Sequence, residues 1–144
     1  MTNTNRPQPQ VWHSLRYRDA PAAIEFLTSV LGFELTVRYD GADDPSIVEH
    51  AQLRWPEGDS GIMVGSDRES PQWPALAGHG AAYLSTTRVE EIWARVAEAA
   101  GFAVTQELHD DDYGPDVSSR SFAVRDPEGN LWSVGEYAGE PWRS

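Results

Sequence analysis

The fold is decided by the octapeptide Asp126–Ser133 (DPEGNLWS) near the carboxyl end of the chain. Pro127 fixes φ at the second position of a tight turn, and Gly129 supplies the positive φ that such a turn needs near its end. The flanking residues alternate, so the stretch predicts strand, turn, strand. A similar pattern, Trp55–Asp59 (WPEGD), occupies the matching place in the first half. Two such hairpins at matched places predict a duplicated chain.

The duplication extends beyond the turns. Leu31–Phe33 (LGF) corresponds to Ala100–Phe102 (AGF) 69 residues later, and Pro56–Gly58 corresponds to Pro127–Gly129 71 residues later, which a two-residue longer loop in the second half explains. Each half therefore predicts the order βαβββ. The first half predicts strands at 11–17, 33–39, 47–55 and 61–65 with a helix at 20–31. The second predicts strands at 80–85, 102–108, 119–125 and 131–137 with a helix at 89–100.

These elements predict an α+β fold in which two βαβββ repeats form a pseudo-symmetric sheet that lines a cleft. The predicted domain covers residues 10–137, with repeat one at 10–66, a linker at 67–78 and repeat two at 79–137. Residues 1–9 and 138–144 are expected to be tails.

Composition excludes several classes of function. The 144 residues are 40% hydrophobic, which is enough for a core, and they contain no apolar run long enough to span a membrane. A net charge of −12 argues against nucleic acid as a partner and would favour a cationic ligand, although an acidic surface also serves solubility alone. Cysteine is absent and the first ten residues do not resemble a signal peptide, so a cytoplasmic location is expected.

The sequence resembles the vicinal oxygen chelate superfamily, which includes glyoxalase I, extradiol dioxygenases, fosfomycin-resistance enzymes and bleomycin-resistance proteins. The resemblance is carried by Leu15–Phe26 (LRYRDAPAAIEF), Leu31–Glu34 (LGFE) and Asp126–Trp132 (DPEGNLW). It implies the paired βαβββ fold, but not one reaction, because a single scaffold can carry many chemistries. Of these groups, the sequence most resembles the bleomycin-resistance proteins.

The resemblance also implies where a metal would be bound. Metal enzymes of this family take His, Gln or Glu ligands from the first and last strands of each half. The matching positions are Trp12, Ile62, Ala81 and Ser133. A slip of one residue gives His13, Met63, Ala82 and Val134. Neither set converges several nitrogen or oxygen donors, so no metal or cofactor is expected. A displaced site that uses His13, His50, His79 or Glu136 stays open.

The same register predicts the residues that line the cleft. They are aromatic, apolar or hydroxyl side chains with one guanidinium, which suits a small organic ligand. The predicted ligand-binding residues are Trp12, Ser14, Arg16, Ile62, Val64, Tyr83 and Ser133, with Tyr113 added from the acidic stretch 109–116. Arg16 either clamps an acidic group of the ligand or pairs with a nearby carboxylate. The acidic stretch is expected to be a solvated loop.

These observations favour a metal-independent protein that binds and sequesters a small organic ligand, such as a cationic antibiotic. The resemblance implies a homodimer, because clefts in this family are often completed across a subunit contact. The alternative is a divalent-metal-dependent lyase, isomerase or dioxygenase of glyoxalase type, and a further alternative is an accessory subunit. The sequence assigns no catalytic residue.

Overall fold

The computed structural model describes residues 8–68, 77–112 and 118–140. In the first half, strand β1 (Trp12–Tyr17) leads into helix α1 (Ala20–Phe26), a π-helical turn (Leu27–Leu31), and strands β2 (Glu34–Asp40), β3 (Val48–Arg54) and β4 (Gly61–Ser66). In the second half, β5 (Ala81–Ser85) leads into α2 (Val89–Glu98), β6 (Ala103–Asp112), β7 (Ser118–Arg125) and β8 (Leu131–Gly135). The predicted α+β fold of two βαβββ repeats is therefore confirmed.

Each half forms its own four-stranded sheet. Sheet one has the order β1-β4-β3-β2, and sheet two has the equivalent order β5-β8-β7-β6. In both sheets the first and last strands run parallel and the remaining neighbours run antiparallel. The first and last strands of each repeat therefore lie side by side at one edge of their sheet.

Both sheets bury one face in a shared core. Buried side chains of sheet one, such as Leu15 and Leu53, belong to the same cluster as Phe122 and Trp132 of sheet two and Ile24 and Ile92 of the helices. We call the buried side of each sheet its core face and the opposite side its open face. Because side chains alternate along a strand, the pairing register assigns each residue to one of these faces.

Helix α1 begins as the sequence predicts. The carboxylate of Asp19 accepts a hydrogen bond from the Ala22 amide at 3.1 Å, and Pro21 lies in the first turn. The predicted helix to residue 31 holds only in part, since its last turn widens to π-helical geometry. Gly32, with a φ of 98°, then ends the helix.

The acidic stretch differs from its prediction. Residues 109–112 are not a loop but the end of β6, which pairs with β7. The pairing is favoured because the partner strand supplies counter-groups: Arg120 contacts Asp110 at 3.2 Å, and the Ser121 hydroxyl donates to Asp111 at 3.1 Å. Tyr113 and the rest of the stretch to residue 116 lie outside the described residues, as does most of the predicted linker.

Two turns tie the halves together, and we call Trp55–Asp59 turn one and Asp126–Asn130 turn two. In turn two, Glu128 accepts hydrogen bonds from the backbone amides of Arg18 and Asp19 at 2.6 and 2.8 Å, at the start of α1. In turn one, Glu57 accepts from the Thr87 amide at 2.8 Å, just before α2. Each turn therefore supports the helix start of the other half.

None of the helices in the described part of the chain is long and apolar enough to cross a membrane.

Candidate functional site

The open face of sheet one carries an aromatic side chain, Trp12. Trp12 pairs with Gly61 of β4, and a β-carbon at Gly61 would lie 2.5 Å from the Trp12 ring. Only glycine therefore lets the indole lie against the strand. The guanidinium carbon of Arg54 lies 5.9 Å from the ring centroid, within the range of a cation–π contact. The half-buried indole is held in place by both neighbours.

Further polar and aromatic side chains continue this face along β3 and β2. The Gln52 amide lies 3.0 Å from Nε2 of His50, and the Tyr39 ring stacks on His50 with a centroid distance of 6.5 Å. Tyr39 is 63% exposed. Sequence reasoning missed Tyr39 and Gln52 and named His50 only for a displaced metal site. Alternation in β3 offered a signal: His50, Gln52 and Arg54 are polar, whereas Ala51 and Leu53 between them are apolar.

Ser14 and Arg16 share this open face, as predicted. Ser14 is exposed and lies opposite Met63. Arg16 lies above Gly65, and its guanidinium donates a hydrogen bond to the carbonyl oxygen of Ser66 at 3.3 Å. The structure thus brings Trp12, Ser14 and Arg16 into one row along β1.

Two of the predicted residues occupy the opposite side of sheet one. Ile62 pairs with His13 and Val64 pairs with Leu15, so both lie on the core face, where they are 5% and 2% exposed. Their predicted position beside Trp12 is corrected. The reason is the length of the turns: two residues, Asp59 and Ser60, lie between Gly58 and Gly61, whereas only Asn130 lies between Gly129 and Leu131. The one-residue difference turns every side chain of β4 to the other face.

The open face of sheet two carries hydroxyl groups and one acidic side chain. Tyr83 pairs with Ser133, and the Tyr83 hydroxyl donates to the Tyr137 carbonyl at 2.6 Å. On the neighbouring strands Asp111 accepts from Ser121 and lies 3.1 Å from Nε2 of His109. Tyr83 and Ser133 therefore share a face as predicted, but that face belongs to a different sheet from Trp12.

A cleft of about 380 Å³ opens between the two halves. We call it the aromatic cleft, and its walls include His13, Phe33, Trp55, Ile62, Leu84 and Trp132. Phe33 meets Trp55 and Trp132 edge-on, with centroid distances of 4.9 and 5.8 Å. The walls are therefore packed against one another before any ligand arrives.

His13 lines this cleft and carries a buried polar atom. Its ring lies edge-on to Trp132 at 6.3 Å, and its buried Nε2 has no hydrogen-bond partner among the described residues. Burial lowers the pKa of His13 below its usual value, because desolvation disfavours the charged ring. The imidazole is therefore neutral at physiological pH.

The family is decided by the match to a family model. The model of the Glyoxalase/Bleomycin resistance protein/Dioxygenase superfamily matches residues 10–134. The chain belongs to this superfamily. Among curated protein sequences none matches significantly.

Solved structures of this superfamily's fold resemble the chain over nearly their whole length. TioX from Micromonospora sp. ML1 is 29% identical, with a TM-score of 0.68 over 88% of this chain and 97% of that one. TnmS3 from Streptomyces sp. CB03234, an antibiotic binding protein, is 22% identical, with a TM-score of 0.58 over 88% and 97%. An integron cassette protein from the mobile metagenome of V. cholerae is 23% identical, with a TM-score of 0.64 over 92% and 98%.

The four positions that hold metal ligands in the superfamily's enzymes carry other residue types in this chain. The strand pairing makes Met63, not Ile62, the equivalent of Ser133, so the four positions hold Trp12, Met63, Ala81 and Ser133. None offers an imidazole or a carboxylate. In residues 8–68, 77–112 and 118–140, no three His, Asp or Glu side chains converge in a group that could hold a metal. The residues present do not fit the metal site of the superfamily's enzymes.

Proposed function

We propose that this superfamily member is a metal-independent binding protein that sequesters a small organic ligand, such as an antibiotic, on its open faces. The observation that carries the proposal is the Trp12 indole, which lies against Gly61 at a position where the superfamily's metal enzymes hold a ligand of the metal. An aromatic surface in that place would stack on a planar part of a ligand instead of coordinating it through a metal.

The polar groups around Trp12 and on sheet two would form directed hydrogen bonds with such a ligand. On sheet one, the open face around Trp12 carries Gln52, His50 and Arg16. On sheet two, the open face carries Ser133 and Tyr83. Binding sites for small molecules commonly combine a mainly apolar surface with a few polar groups of this kind. The similarity to TnmS3, an antibiotic binding protein, favours an antibiotic as the class of ligand.

The proposed ligand is cationic. The chain carries a net charge of −12, and β6 places three consecutive aspartates, Asp110–Asp112, at the end of sheet two. A cationic ligand would therefore gain from the acidic end of sheet two while its planar part stacks on sheet one.

A homodimer in the cytoplasm is part of the same proposal. The open faces belong to two separate sheets, and each exposes a large aromatic side chain, Tyr39 at 63% and Tyr83 at 46%. A second copy that brings sheet one of one chain toward sheet two of the other would enclose both surfaces. A cysteine-free composition suits the reducing cytoplasm.

The test is a titration of the purified protein with bleomycin, a cationic antibiotic with planar rings, followed by calorimetry and tryptophan fluorescence. Trp12→Ala should weaken binding by about tenfold, because it removes the stacking surface. Trp93→Phe is the matched control: Trp93 packs against Phe122 on the core side, so it removes an indole away from the open face. Equal affinity of Trp12→Ala and wild type, or no saturable binding, would contradict the proposal.

Metal independence is tested separately. The protein is incubated with nickel, zinc, manganese and iron(II), excess metal is removed, and metal content is measured together with bleomycin affinity. We expect less than stoichiometric metal and the same affinity with and without chelator. One tightly held metal ion per chain would favour the alternative, an enzyme of glyoxalase type.

A further inference from the structure

The aromatic cleft between the halves is lined mainly from the core faces of the two sheets, and Tyr83 of the open face of sheet two also borders it. Its side chains His13, Ile62 and Trp132 lie on the core faces of their sheets, whereas Trp12 and Ser133 lie on the open faces. A volume of about 380 Å³ falls within the range of small-molecule sites and exceeds what one or two fused rings need.

The walls of the cleft are held in place by hydrogen bonds within the protein. The Trp55 indole N–H donates to the Ser85 carbonyl at 2.8 Å, and the Trp132 indole N–H donates to the Asp126 carboxylate at 3.1 Å. Glu57, at the rim, accepts from Thr87. These groups are already engaged within the protein, so the two indoles present their aromatic surface to the cleft.

His13 is the exception among the described lining residues. Its Nε2 is buried without a hydrogen-bond partner, and a buried polar atom left unsatisfied costs about 1–3 kcal/mol. A ligand that bonded to Nε2 would remove this cost on binding. The cleft therefore suits a ligand that has a flat apolar ring system and one hydrogen-bonding group.

We propose that the aromatic cleft is a second binding site, for a small planar aromatic molecule that carries a hydroxyl group bonded to His13. A hydroxyl suits this atom because it both donates and accepts, so it pairs with either tautomer of the neutral imidazole. A flat ring system suits Phe33, Trp55 and Trp132, which offer edges and faces but no charge. The site goes beyond the proposed function, since it uses the other side of β1.

The experiment compares 2-naphthol with naphthalene, which has the same shape without the hydroxyl. Binding to the full chain is followed by the indole N–H signals of Trp55 and Trp132 in ¹H–¹⁵N spectra. We expect 2-naphthol to shift both signals saturably and to bind several-fold more tightly than naphthalene. His13→Leu should weaken 2-naphthol by about tenfold and naphthalene by less than twofold. His13→Gln, which keeps a hydrogen-bonding group, should restore part of the affinity.

Two controls separate this site from the open face. Ser14→Ala changes the neighbouring residue on the other side of β1, and Trp12→Ala removes the proposed stacking surface; both should leave 2-naphthol affinity within twofold of wild type. The proposal is overturned if 2-naphthol leaves both indole signals unmoved or if His13→Leu binds it as wild type does. Should His13→Leu fail to fold, equal affinity of wild type for 2-naphthol and naphthalene overturns it instead.

Discussion

Turn one and turn two share the sequence Pro-Glu-Gly but begin with different residues, Trp55 and Asp126. The glutamates do the same work in both halves, since Glu57 and Glu128 each accept backbone amides at the start of the opposite helix. The first residues do different work. Asp126 is a buried carboxylate, 4% exposed, whereas Trp55 is a buried indole that forms a wall of the aromatic cleft.

Asp126 accepts hydrogen bonds from five polar groups, one of which is the side-chain amide of Asn130 at 3.0 Å. One carboxylate oxygen accepts the backbone amides of Glu128 and Asn130 at 3.0 Å each, and the other accepts the Tyr17 hydroxyl at 2.6 Å and the Trp132 indole N–H at 3.1 Å. Turn one has no carboxylate at this position; its indole donates one hydrogen bond to Ser85 instead. The repeated glutamate therefore holds the halves together, whereas the first residue of each turn has its own role.

Replacing Asp126 should lower the stability of the protein more than any other change in the two turns. Asp126→Ala leaves the Tyr17 hydroxyl, the Trp132 indole N–H and two turn amides without their acceptor inside the core. We expect the free energy of unfolding to fall by about 3–5 kcal/mol, because each buried unsatisfied group costs about 1–3 kcal/mol and the groups overlap in part. Urea denaturation followed by circular dichroism measures it. Asp43→Ala, at an exposed loop carboxylate, is the control, and an equal loss in both variants would show that Asp126 is not a structural centre.

Tyr17→Phe should have a smaller effect that depends on pH. Burial and then the Asp126 carboxylate raise the pKa of Tyr17 above its usual value of about 10. A raised pKa in the folded state gives stability that is complete below about pH 10 and is lost as pH rises further, since only the unfolded chain then releases the proton. We expect Tyr17→Phe to lose about 2 kcal/mol at pH 7, with a flatter decline above pH 10.

The measurement for Tyr17 is the free energy of unfolding at pH 7 and at several values above 10. Tyr39→Phe, at a tyrosine that is 63% exposed, is the matched control and should follow wild type throughout. Parallel alkaline curves for wild type and Tyr17→Phe would contradict the assignment of this titration to Tyr17.

Much of the fold could be predicted from local sequence, because both halves repeat the same turn chemistry and the same order of periodic segments. The row Trp12, Ser14 and Arg16 could be predicted too, since the buried side chains Leu15 and Tyr17 alternate with Ser14 and Arg16 along β1. Strand β4 gave no such signal. Its sequence GIMVGS is apolar on both faces, so a turn longer by one residue reversed Ile62 and Val64 without any visible conflict.

The acidic strand and the aromatic cleft could not be predicted for a different reason: their cause is tertiary. From sequence alone, Asp110 and Asp111 predict a solvated loop. They form a strand because Arg120 and Ser121 face them across the sheet. The cleft joins Phe33, Trp55 and Trp132, which no local period connects. They meet only because two sheets pack their core faces together.

Replacing Glu57, which corresponds to Glu128 of turn two, should have the smallest effect on stability. Partial burial alone would raise the pKa of Glu57, but hydrogen bonds from Thr86 and Thr87 outweigh it and lower the pKa below the usual value. A lowered pKa gives stability that is present above about pH 4.5 and is lost as pH falls through the folded-state value. Glu57→Gln should therefore be less stable than wild type at pH 7 and approach it as the solution is acidified.

Urea denaturation between pH 7 and pH 3 measures this convergence, and Glu98→Gln on the exposed side of α2 is the control. If the glutamates hold the halves together through the same interaction, Glu128→Gln should weaken the fold at pH 7 in the same direction as Glu57→Gln, while Asp126→Ala exceeds both. If Glu57→Gln instead stays parallel to wild type as pH falls, the contact of turn one with Thr86 and Thr87 is not held by the charge of Glu57, and the two turns support their helices by different means.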